Sequence, residues 1–267
     1  MESALLLWQA CCLPSLLHGA GTWTEISVKT ENRLNAIQRW FVKLIYQVGP
    51  GAPLASLYWD LALLDMGLLV WVEKVMLILH LRALGDGTLA NKMYREQDFF
   101  RWPGLVAETR QICSNLQIED CNTTKMCKPE YKKLVIKSCH KENEKRLRKQ
   151  AEGKEKCDRI MKESYGKKAY IGQKTISEVR QCYRSRVGMQ PFAGNYSHDK
   201  KYEKTGYLCK CQESRETESH LMTGKCLIYG DIREKYENFD SDEDLVKFFK
   251  EVLERRDELD QDDQDVE

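Results

Sequence analysis

Apolar residues recur every three or four positions along much of the chain, which is the period of an amphipathic helix. In the segment 30–48 these residues are Leu34, Ile37, Phe41, Leu44 and Ile45. Cationic side chains lie between them, and a Gly-Pro-Gly sequence at 49–51 ends the pattern. The same period predicts further helices over 54–65, 68–84, 89–100, 105–116 and 244–259. The predicted fold class is therefore mainly α.

The stretch 130–168 has a different pattern, in which Lys, Arg and Glu alternate at helical intervals and apolar positions are sparse. This composition predicts a long, weakly anchored helix with a solvated basic face. After it, the sequence is rich in turns up to Cys209. We therefore divide the chain into a helical region over 1–117, a basic and partly flexible helical linker over 118–176, a turn-rich region over 177–230, and an acidic C-terminal helix with a disordered tail over 231–267.

Charge is separated along the chain, although the net charge is only +1. Residues 125–186 hold 20 Lys and Arg against 8 Asp and Glu, whereas residues 231–267 hold 6 against 16. The middle of the chain can therefore attract polyanions, and the tail cannot. With 42% apolar residues the chain can build a core, and charged residues within the apolar region 54–84 exclude a membrane span there.

One compact group of residues has the chemistry of a metal site. Cys209, Cys211, His220 and Cys226 fall within 18 positions, and zinc binds such thiolate and imidazole ligands in a tetrahedron. Thr217 stands where it can cap a short helix that carries His220. The sequence therefore predicts one zinc ion. The alternatives are a chance grouping in a cysteine-rich chain and an ancestral site that no longer binds zinc.

The other cysteines give weaker signals. The chain holds 11 cysteines, an odd number that disfavours a fully paired disulfide framework. Cys121, Cys127, Cys139 and His140 form a second group of ligand types, but their spacing matches no recognised metal motif. We interpret these cysteines as reduced loop thiols.

The basic stretch has the composition of a nucleic-acid-binding surface, because clustered Lys and Arg release counterions when they neutralise phosphates. Tyr165, Tyr170 and Tyr183 lie among the cations and are candidates for stacking on unpaired bases. A solvated helix whose glutamates partly cancel its charge is the equal alternative. The predicted contacts to RNA or DNA are Lys167, Lys168, Arg180, Arg184 and Arg186.

No catalytic motif is present in the sequence. It contains no phosphate-binding Gly-rich loop, no Gly-x-Ser-x-Gly elbow and no His-Glu-x-x-His. Polymerase chemistry needs paired carboxylates for two metal ions, and adjacent acids such as Asp262 and Asp263 fall in loop or tail contexts. We therefore expect neither an enzyme nor a small-molecule substrate.

Two parts of the sequence resemble the C-terminal region of non-LTR (LINE-type) retrotransposon reverse transcriptases. The first is Leu17-His18-Gly19-Ala20-Gly21-Thr22-Trp23, followed by Gln38-Arg39-Trp40-Phe41. It is similar to the family's "leu-tyr-gly-ala-glu-thr-trp" segment and thumb-like helix, although His18 and Gly21 replace the tyrosine and glutamate. The second part consists of Arg184-Ser185-Arg186-Val187-Gly188-Met189, Asn195, Tyr196, and the series Cys209, Cys211, Glu216-Thr217, His220-Leu221, Cys226 and Tyr229.

The resemblance implies a helical thumb-like region over 1–117 and a zinc-knuckle-like element over 177–230 that binds nucleic acid. In that family the palm, with its catalytic aspartates, lies upstream of the matching part. The resemblance thus implies a non-catalytic fragment, truncated or domesticated, with an intracellular location in the nucleus or cytoplasm.

Two alternatives remain open. An uncharged, apolar segment over 3–24 and the sequons at Asn122 and Asn195 are compatible with a secreted, disulfide-containing glycoprotein. An expressed remnant without selected activity is the other alternative.

Overall fold

The computed structural model describes residues 1–23, 26–49, 51–154, 157, 160–192, 207–223, 226–236, 239 and 241–264, with side chains to residue 261. The described residues form helices and no strands, which confirms the mainly α class. One isolated antiparallel bridge joins Leu208 and Arg215. Asn195 and Tyr196, which belong to the second part of the resemblance, lie outside the described residues.

The helices are, in chain order, α1 (Glu2–Leu7), α2 (Leu13–Leu16), α3 (Val28–Tyr46), α4 (Leu54–Leu61), α5 (Met66–Ala83), α6 (Leu89–Phe100), α7 (Leu105–Asn115), α8 (Lys128–Ala151), α9 (Ala169–Gln173), α10 (Ile176–Arg186), α11 (Glu218–Met222), α12 (Gly230–Glu234) and α13 (Asp242–Gln264). A π-helical turn, Trp8–Cys12, joins α1 to α2, and Ala20–Thr22 forms a 3-10 turn. Polar side chains at Ser27, Asp65, Thr88 and Thr175 cap α3, α5, α6 and α10.

Buried apolar side chains gather in three clusters. The first combines α1, α3, α4, the end of α8, α9 and α10. The second combines α5, α6, α7 and the first half of α8. The third holds Phe192, the cysteine-histidine region, α12 and α13. Helix α10, which falls within the predicted region 177–230, packs with the first cluster through Val179 and Tyr183, because it presents those side chains to α3 and α4.

Helix α8 is anchored more firmly than its sequence predicts. Every fourth residue is buried, in the order Tyr131, Val135, Cys139, Asn143, Leu147 and Ala151. Cys139, Asn143 and Ala151 are polar or only weakly apolar, so the spacing of strongly apolar residues alone underestimates the buried face. Asn143, for example, donates from Nδ2 to the Leu63 carbonyl at 2.8 Å and to the Tyr165 hydroxyl at 3.0 Å. The helix therefore joins the first two clusters.

The N-terminal segment packs into the first cluster. Leu5 and Trp8 are buried, and the Trp8 ring stacks on Phe41 with centroids 4.3 Å apart. Further along, a Cβ atom at Gly21 would come within 3.0 Å of the Glu73 carbonyl oxygen and 3.1 Å of Leu77 Cβ on α5. This close approach gives a physical reason for glycine where the resembling family has glutamate. No helix in the described ranges is long and apolar enough to cross a membrane.

The C-terminal helix is longer than predicted. The sequence predicts a helix over 244–259 followed by a disordered tail, whereas α13 continues to Gln264. Asp260 of the tail pairs with Lys210 of the cysteine-histidine region at 2.6 Å, and Arg255 of α13 pairs with Asp231 of α12 at 3.0 Å. These contacts extend the helix beyond the end of its apolar face.

A buried cation connects the first cluster to α13. The Arg186 guanidinium is 4% exposed and pairs with Asp60 at 3.3 Å, with Glu163 at 2.9 Å and with Asp242. Asp60 is fully buried and also accepts a hydrogen bond from the Tyr170 hydroxyl at 2.7 Å. Burial raises the pKa of Asp60 to about 6, although Arg186 and Tyr170 oppose the shift. Arg186 thus offsets the cost of a buried carboxylate.

We predict that Arg186→Met lowers the free energy of unfolding by about 3–5 kcal/mol at neutral pH, because it leaves the Asp60 carboxylate buried without a cation. Because the pKa of Asp60 is higher in the folded state than in the unfolded state, ionisation of Asp60 lowers the stability of the fold as pH rises from 3.8 to about 6. Without Arg186 this pKa rises further, so the loss of stability should shrink as pH falls and Asp60 becomes protonated. Urea unfolding at neutral and mildly acidic pH measures both effects.

Arg95→Met is the matched control, because the Arg95–Asp86 pair is solvent-exposed, with side chains 60% and 75% accessible. It should cost no more than about 1 kcal/mol. Equal losses in the two variants at neutral pH would contradict a stabilising role for the Arg186 pairs.

Candidate metal centre and basic surface

The four predicted metal ligands converge in the third cluster. A tight turn carries Cys209 and Cys211, with the Cys209 amide donating to the Ser214 carbonyl and the Gln212 amide donating to the Cys209 carbonyl, both at 2.8 Å. Gln212 takes a positive φ of 62°, which lets the chain reverse within this short turn. The Leu208–Arg215 bridge closes the base of the turn. Both thiols therefore face the same side.

Helix α11 supplies the imidazole. Thr217 is its N-cap, and the Thr217 hydroxyl accepts a hydrogen bond from the His220 amide at 3.3 Å, as the sequence predicts. His220 is 7% exposed and its Nε2 lies 3.2 Å from Cys211 Sγ. Cys226, buried beyond the helix, places its sulfur 3.6 Å from Cys209 Sγ. The one imidazole nitrogen and three sulfurs all lie within 4.8 Å of one another.

These distances fit a tetrahedral metal ion. With metal–sulfur bonds of about 2.3 Å and a metal–nitrogen bond of about 2.0 Å, a tetrahedron places two sulfurs about 3.8 Å apart and a sulfur and a nitrogen about 3.5 Å apart. The observed 3.6 Å and 3.2 Å separations are each slightly shorter. With all four ligand atoms within 4.8 Å of one another, the four residues lie close enough to hold a metal ion.

The surroundings of the sulfurs suit thiolate ligands. Burial raises the pKa of the Cys209 thiol, while the Cys211 backbone N–H donates to its sulfur and opposes the shift. Burial likewise raises the pKa of the Cys226 thiol, and the Tyr229 N–H opposes it. A bound cation would favour the thiolate form and so oppose these shifts. The two N–H donors already point at the sulfurs that would carry the negative charge.

A layer of buried polar contacts holds the site against the rest of the third cluster. Arg233 on α12 donates to the Leu221 carbonyl at 2.9 Å and to the Cys226 carbonyl at 3.2 Å, and so fixes the segments on both sides of the last ligand. Glu216, 3% exposed, pairs with Arg256 of α13 at 3.5 Å. The ligand geometry thus depends on α12 and α13, which the sequence pattern did not connect to the site.

The second group of ligand types, interpreted from the sequence as reduced thiols, is spread over separate parts of the structure. Cys139 faces the Leu68 carbonyl inside the second cluster, His140 Nδ1 bonds the Tyr165 hydroxyl at 3.0 Å, and Cys127 is exposed. Cys121 instead meets Cys113 and Asp120 within 4.8 Å. Both carboxylate oxygens of Asp120 are already engaged, one by Asn122 and the other by Arg110. This group offers three ligand residues, one fewer than the four that a structural zinc site takes.

The cations predicted to contact nucleic acid have protein partners. Lys167 pairs with Glu2 at 2.6 Å and Lys168 with Glu163 at 2.8 Å. Arg180 donates to the Ile45 carbonyl at 2.7 Å and Arg184 to the Gln47 carbonyl at 2.6 Å. Arg186 is a correction to the prediction of a surface contact, because its guanidinium is buried among the carboxylates described above.

The tyrosines of the same stretch also face inward. Tyr183 is fully buried and its hydroxyl lies 2.7 Å from Ser56 Oγ. The Tyr170 hydroxyl donates to Asp60, and the Tyr165 ring packs edge-on against Trp59 with centroids 5.3 Å apart. A base could not stack on Tyr183 without rearrangement of the first cluster. The local sequence, in which each tyrosine lies within two residues of a lysine or arginine, does not distinguish this inward orientation.

The structure instead exposes a row of lysines on α8. Lys133, Lys137, Lys141, Lys145 and Lys149 are all exposed and follow one another at intervals of four residues. Each lies two residues from members of the buried set, and therefore about 200° around the helix from them. No hydrogen bond or ion pair engages these five side chains within the described ranges. We call them the lysine row.

The glutamates of α8 do not neutralise this row. Glu142 pairs with Arg146 at 3.2 Å and Glu144 pairs with Arg148 at 3.0 Å. The two arginines also lie over the rings of Trp71 and Trp59, at 5.3 and 4.7 Å from the ring centroids. Two of the three glutamates of α8 are thus paired with arginines, and no ion pair in the described ranges engages the lysine row. A count of four-residue spacings in the sequence would have revealed it.

Two observations bear on the secreted alternative. Each of the eleven cysteines is a free thiol in the structure. Asn122 is 8% exposed, its Nδ2 donates to Asp120 Oδ1 at 2.7 Å, and its Oδ1 accepts from the Tyr94 hydroxyl at 3.2 Å. A glycan on Nδ2 of Asn122 would displace its contact with Asp120 and need space that this buried position does not provide. Asn195 lies outside the described residues.

Comparison with known proteins yields no match: no family model, no curated protein and no solved structure is significantly similar to this chain.

Proposed function

We propose that the protein is a non-catalytic, zinc-binding module that binds single-stranded RNA or DNA through the lysine row of α8. The observation that carries the proposal is the set of five exposed lysines at four-residue intervals along an otherwise anchored helix, none of which has a partner in the described ranges. Uncompensated lysines at such density attract a polyanion and release its counterions on binding.

The geometry of the row suits an extended strand. Successive lysines are about 6 Å apart along the axis and the whole row spans about 24 Å, since an α-helix rises about 1.5 Å per residue. The buried face of α8 is fixed by two apolar clusters, so the row keeps its shape when a ligand arrives. A rigid row loses little conformational entropy of the backbone on binding.

The metal in this proposal is zinc. Three thiolates and one imidazole suit zinc better than magnesium or calcium, which prefer oxygen ligands. A closed set of four protein ligands is typical of structural zinc and leaves no position for a substrate. Bound zinc would therefore hold the turn at Cys209, helix α11 and the segment at Cys226 together, and so support the docking of α13.

The resemblance to LINE-type reverse transcriptases favours the same function. It implies that this chain matches the region downstream of the palm, which in that family contains a nucleic-acid-binding zinc element. We also propose that the chain derives from such an element, and this proposal rests only on the residues that carry the resemblance. The resemblance and the geometry of the metal centre both involve the same four ligands, Cys209, Cys211, His220 and Cys226.

We predict that purified protein contains about one equivalent of zinc and that Cys209→Ser/Cys226→Ser abolishes it, because two of the four ligands are lost. Inductively coupled plasma mass spectrometry measures the content. Cys127→Ser, which removes an exposed thiol elsewhere, should keep the metal. Equal zinc in the double variant, or none in the unmodified protein, would contradict the assignment.

We predict that Lys137→Glu/Lys141→Glu weakens binding of a mixed-sequence single-stranded RNA by at least about tenfold at low salt. The slope of log affinity against log salt should also fall by about 1.4 or more, since about 0.7 counterions are released per neutralised phosphate. Fluorescence anisotropy over a salt series measures both quantities.

The control is Lys92→Glu/Lys247→Glu, which makes the same change in net charge at exposed lysines of α6 and α13. If this control weakens binding as much as the row variant, binding follows overall charge and the row is not the contact surface. Circular dichroism of both variants should show unchanged helix content.

A further inference from the structure

A polar cavity opens between α3, α4 and α8. Its volume is about 520 Å³, which is within the range of pockets that hold one small ligand. Leu54 and Leu147 form an apolar wall, and Glu31, Asn32, Lys149 and Gln150 line the polar side. The cavity shares no residue with the cysteine-histidine centre.

Four polar side chains of the cavity lack partners. Glu31, Asn32, Lys149 and Gln150 form no side-chain hydrogen bond or ion pair in the part of the chain that the structure describes. Other polar groups of the same cavity are engaged: Arg39 donates to the carbonyls of Asn32 and Asn35, and Arg146 pairs with Asp65. The unpartnered groups are thus the ones available to a ligand.

These groups specify the chemistry of that ligand. Lys149 calls for an anionic group, whereas the half-buried Glu31 carboxylate accepts hydrogen bonds and repels anions. The carboxamides of Asn32 and Gln150 both donate and accept, and the leucines cover a flat apolar face. Inorganic phosphate satisfies only Lys149. A nucleotide satisfies the whole set, with its phosphate at Lys149 and its base toward Glu31.

The location of the cavity connects it to the lysine row. Lys149 is the last lysine of the row and also lines the cavity, so a strand that follows the row reaches the cavity at its end. Burial raises the pKa of Glu31 and the Asp65 carboxylate adds to the shift, while the Arg146 guanidinium opposes it. A ligand that donates a hydrogen bond to Glu31 would stabilise the charge of this half-buried carboxylate.

We infer that this cavity receives one unpaired nucleotide of the bound strand, and that Glu31 accepts a hydrogen bond from an exocyclic amino group of its base. The inference rests on the proposed function and deepens it by giving the site a base preference. Cytosine offers an amino group at the position where uracil offers a carbonyl oxygen, which Glu31 would repel. An unpaired base is required because pairing occupies that edge.

The test compares the binding of oligocytidylate and oligouridylate of equal length to the full-length protein at neutral pH. We expect the unmodified protein to prefer oligocytidylate by about tenfold, the contribution of one charge-assisted hydrogen bond. Glu31→Gln should bring the ratio close to one, since an amide can bond either base. Glu130→Gln is the matched control, because Glu130 occupies the first turn of α8 as Glu31 occupies the first turn of α3.

A second variant separates this inference from the proposed function. Lys133→Glu/Lys137→Glu changes the end of the row far from Lys149, and should weaken both oligonucleotides equally while the ratio stays at about ten. If both bind the unmodified protein equally and Glu31→Gln changes nothing, the nucleotide site is wrong while binding by the row stands. If neither oligonucleotide binds the unmodified protein, both are wrong.

Discussion

The four-residue period of burial on α8 determines which charges of this protein are free. Tyr131, Val135, Cys139, Asn143, Leu147 and Ala151 enter two different apolar clusters, so the helix cannot rotate without exposing both. The opposite face then has to be solvated, and lysine occupies it at the same period. Lysine suits this position, because its flexible stem and strongly hydrated ammonium keep the charge in water. One packing constraint therefore accounts for both the anchored core and the exposed basic surface.

The arginines of the chain have the complementary role. Arg146 and Arg148 lie over tryptophan rings, Arg180 and Arg184 donate to carbonyls of the α3 end, and Arg186 pairs with three carboxylates. A planar guanidinium with several donors can satisfy such fixed acceptors, which an ammonium does less well. The basic residues over 125–186 therefore include two populations: cations that contact other parts of the fold, among them these arginines, Lys167 and Lys168, and the lysine row, which has no partner in the described ranges. The proposed binding surface involves only the second population.

Much of the fold follows from the sequence, because long apolar periods and capping residues act locally. The helices over 89–100 and 105–116 were predicted within one residue of α6 and α7, and Thr217 caps α11 as expected. The convergence of the four metal ligands also follows, since they lie within 18 positions. Contacts between distant segments do not follow from local pattern. Arg186 meets Asp60 across 126 positions, and only the packing of α10 on α4 makes a charged residue of a basic stretch part of the core.

The cavity at Glu31 has no sequence signal for a similar reason. Glu31 and Asn32 look like ordinary polar residues of the first turn of α3, and Lys149 and Gln150 like the solvated end of α8. Their relation appears only when the two helices pack, because it depends on four side chains that form no hydrogen bond or ion pair with the described residues. Functional sites assembled between helices in this way need the tertiary structure for their recognition.

Lysine acetylation with a soluble succinimidyl ester, followed by mass spectrometry, tests the central claim most directly. The protein is labelled alone and with a saturating single-stranded RNA, and the reactivity of each lysine is compared. The account predicts that RNA protects Lys133, Lys137, Lys141, Lys145 and Lys149, and leaves Lys92 and Lys247 unchanged. Bound RNA that leaves the lysine row fully reactive, while protecting Lys167 and Lys168 instead, would contradict it.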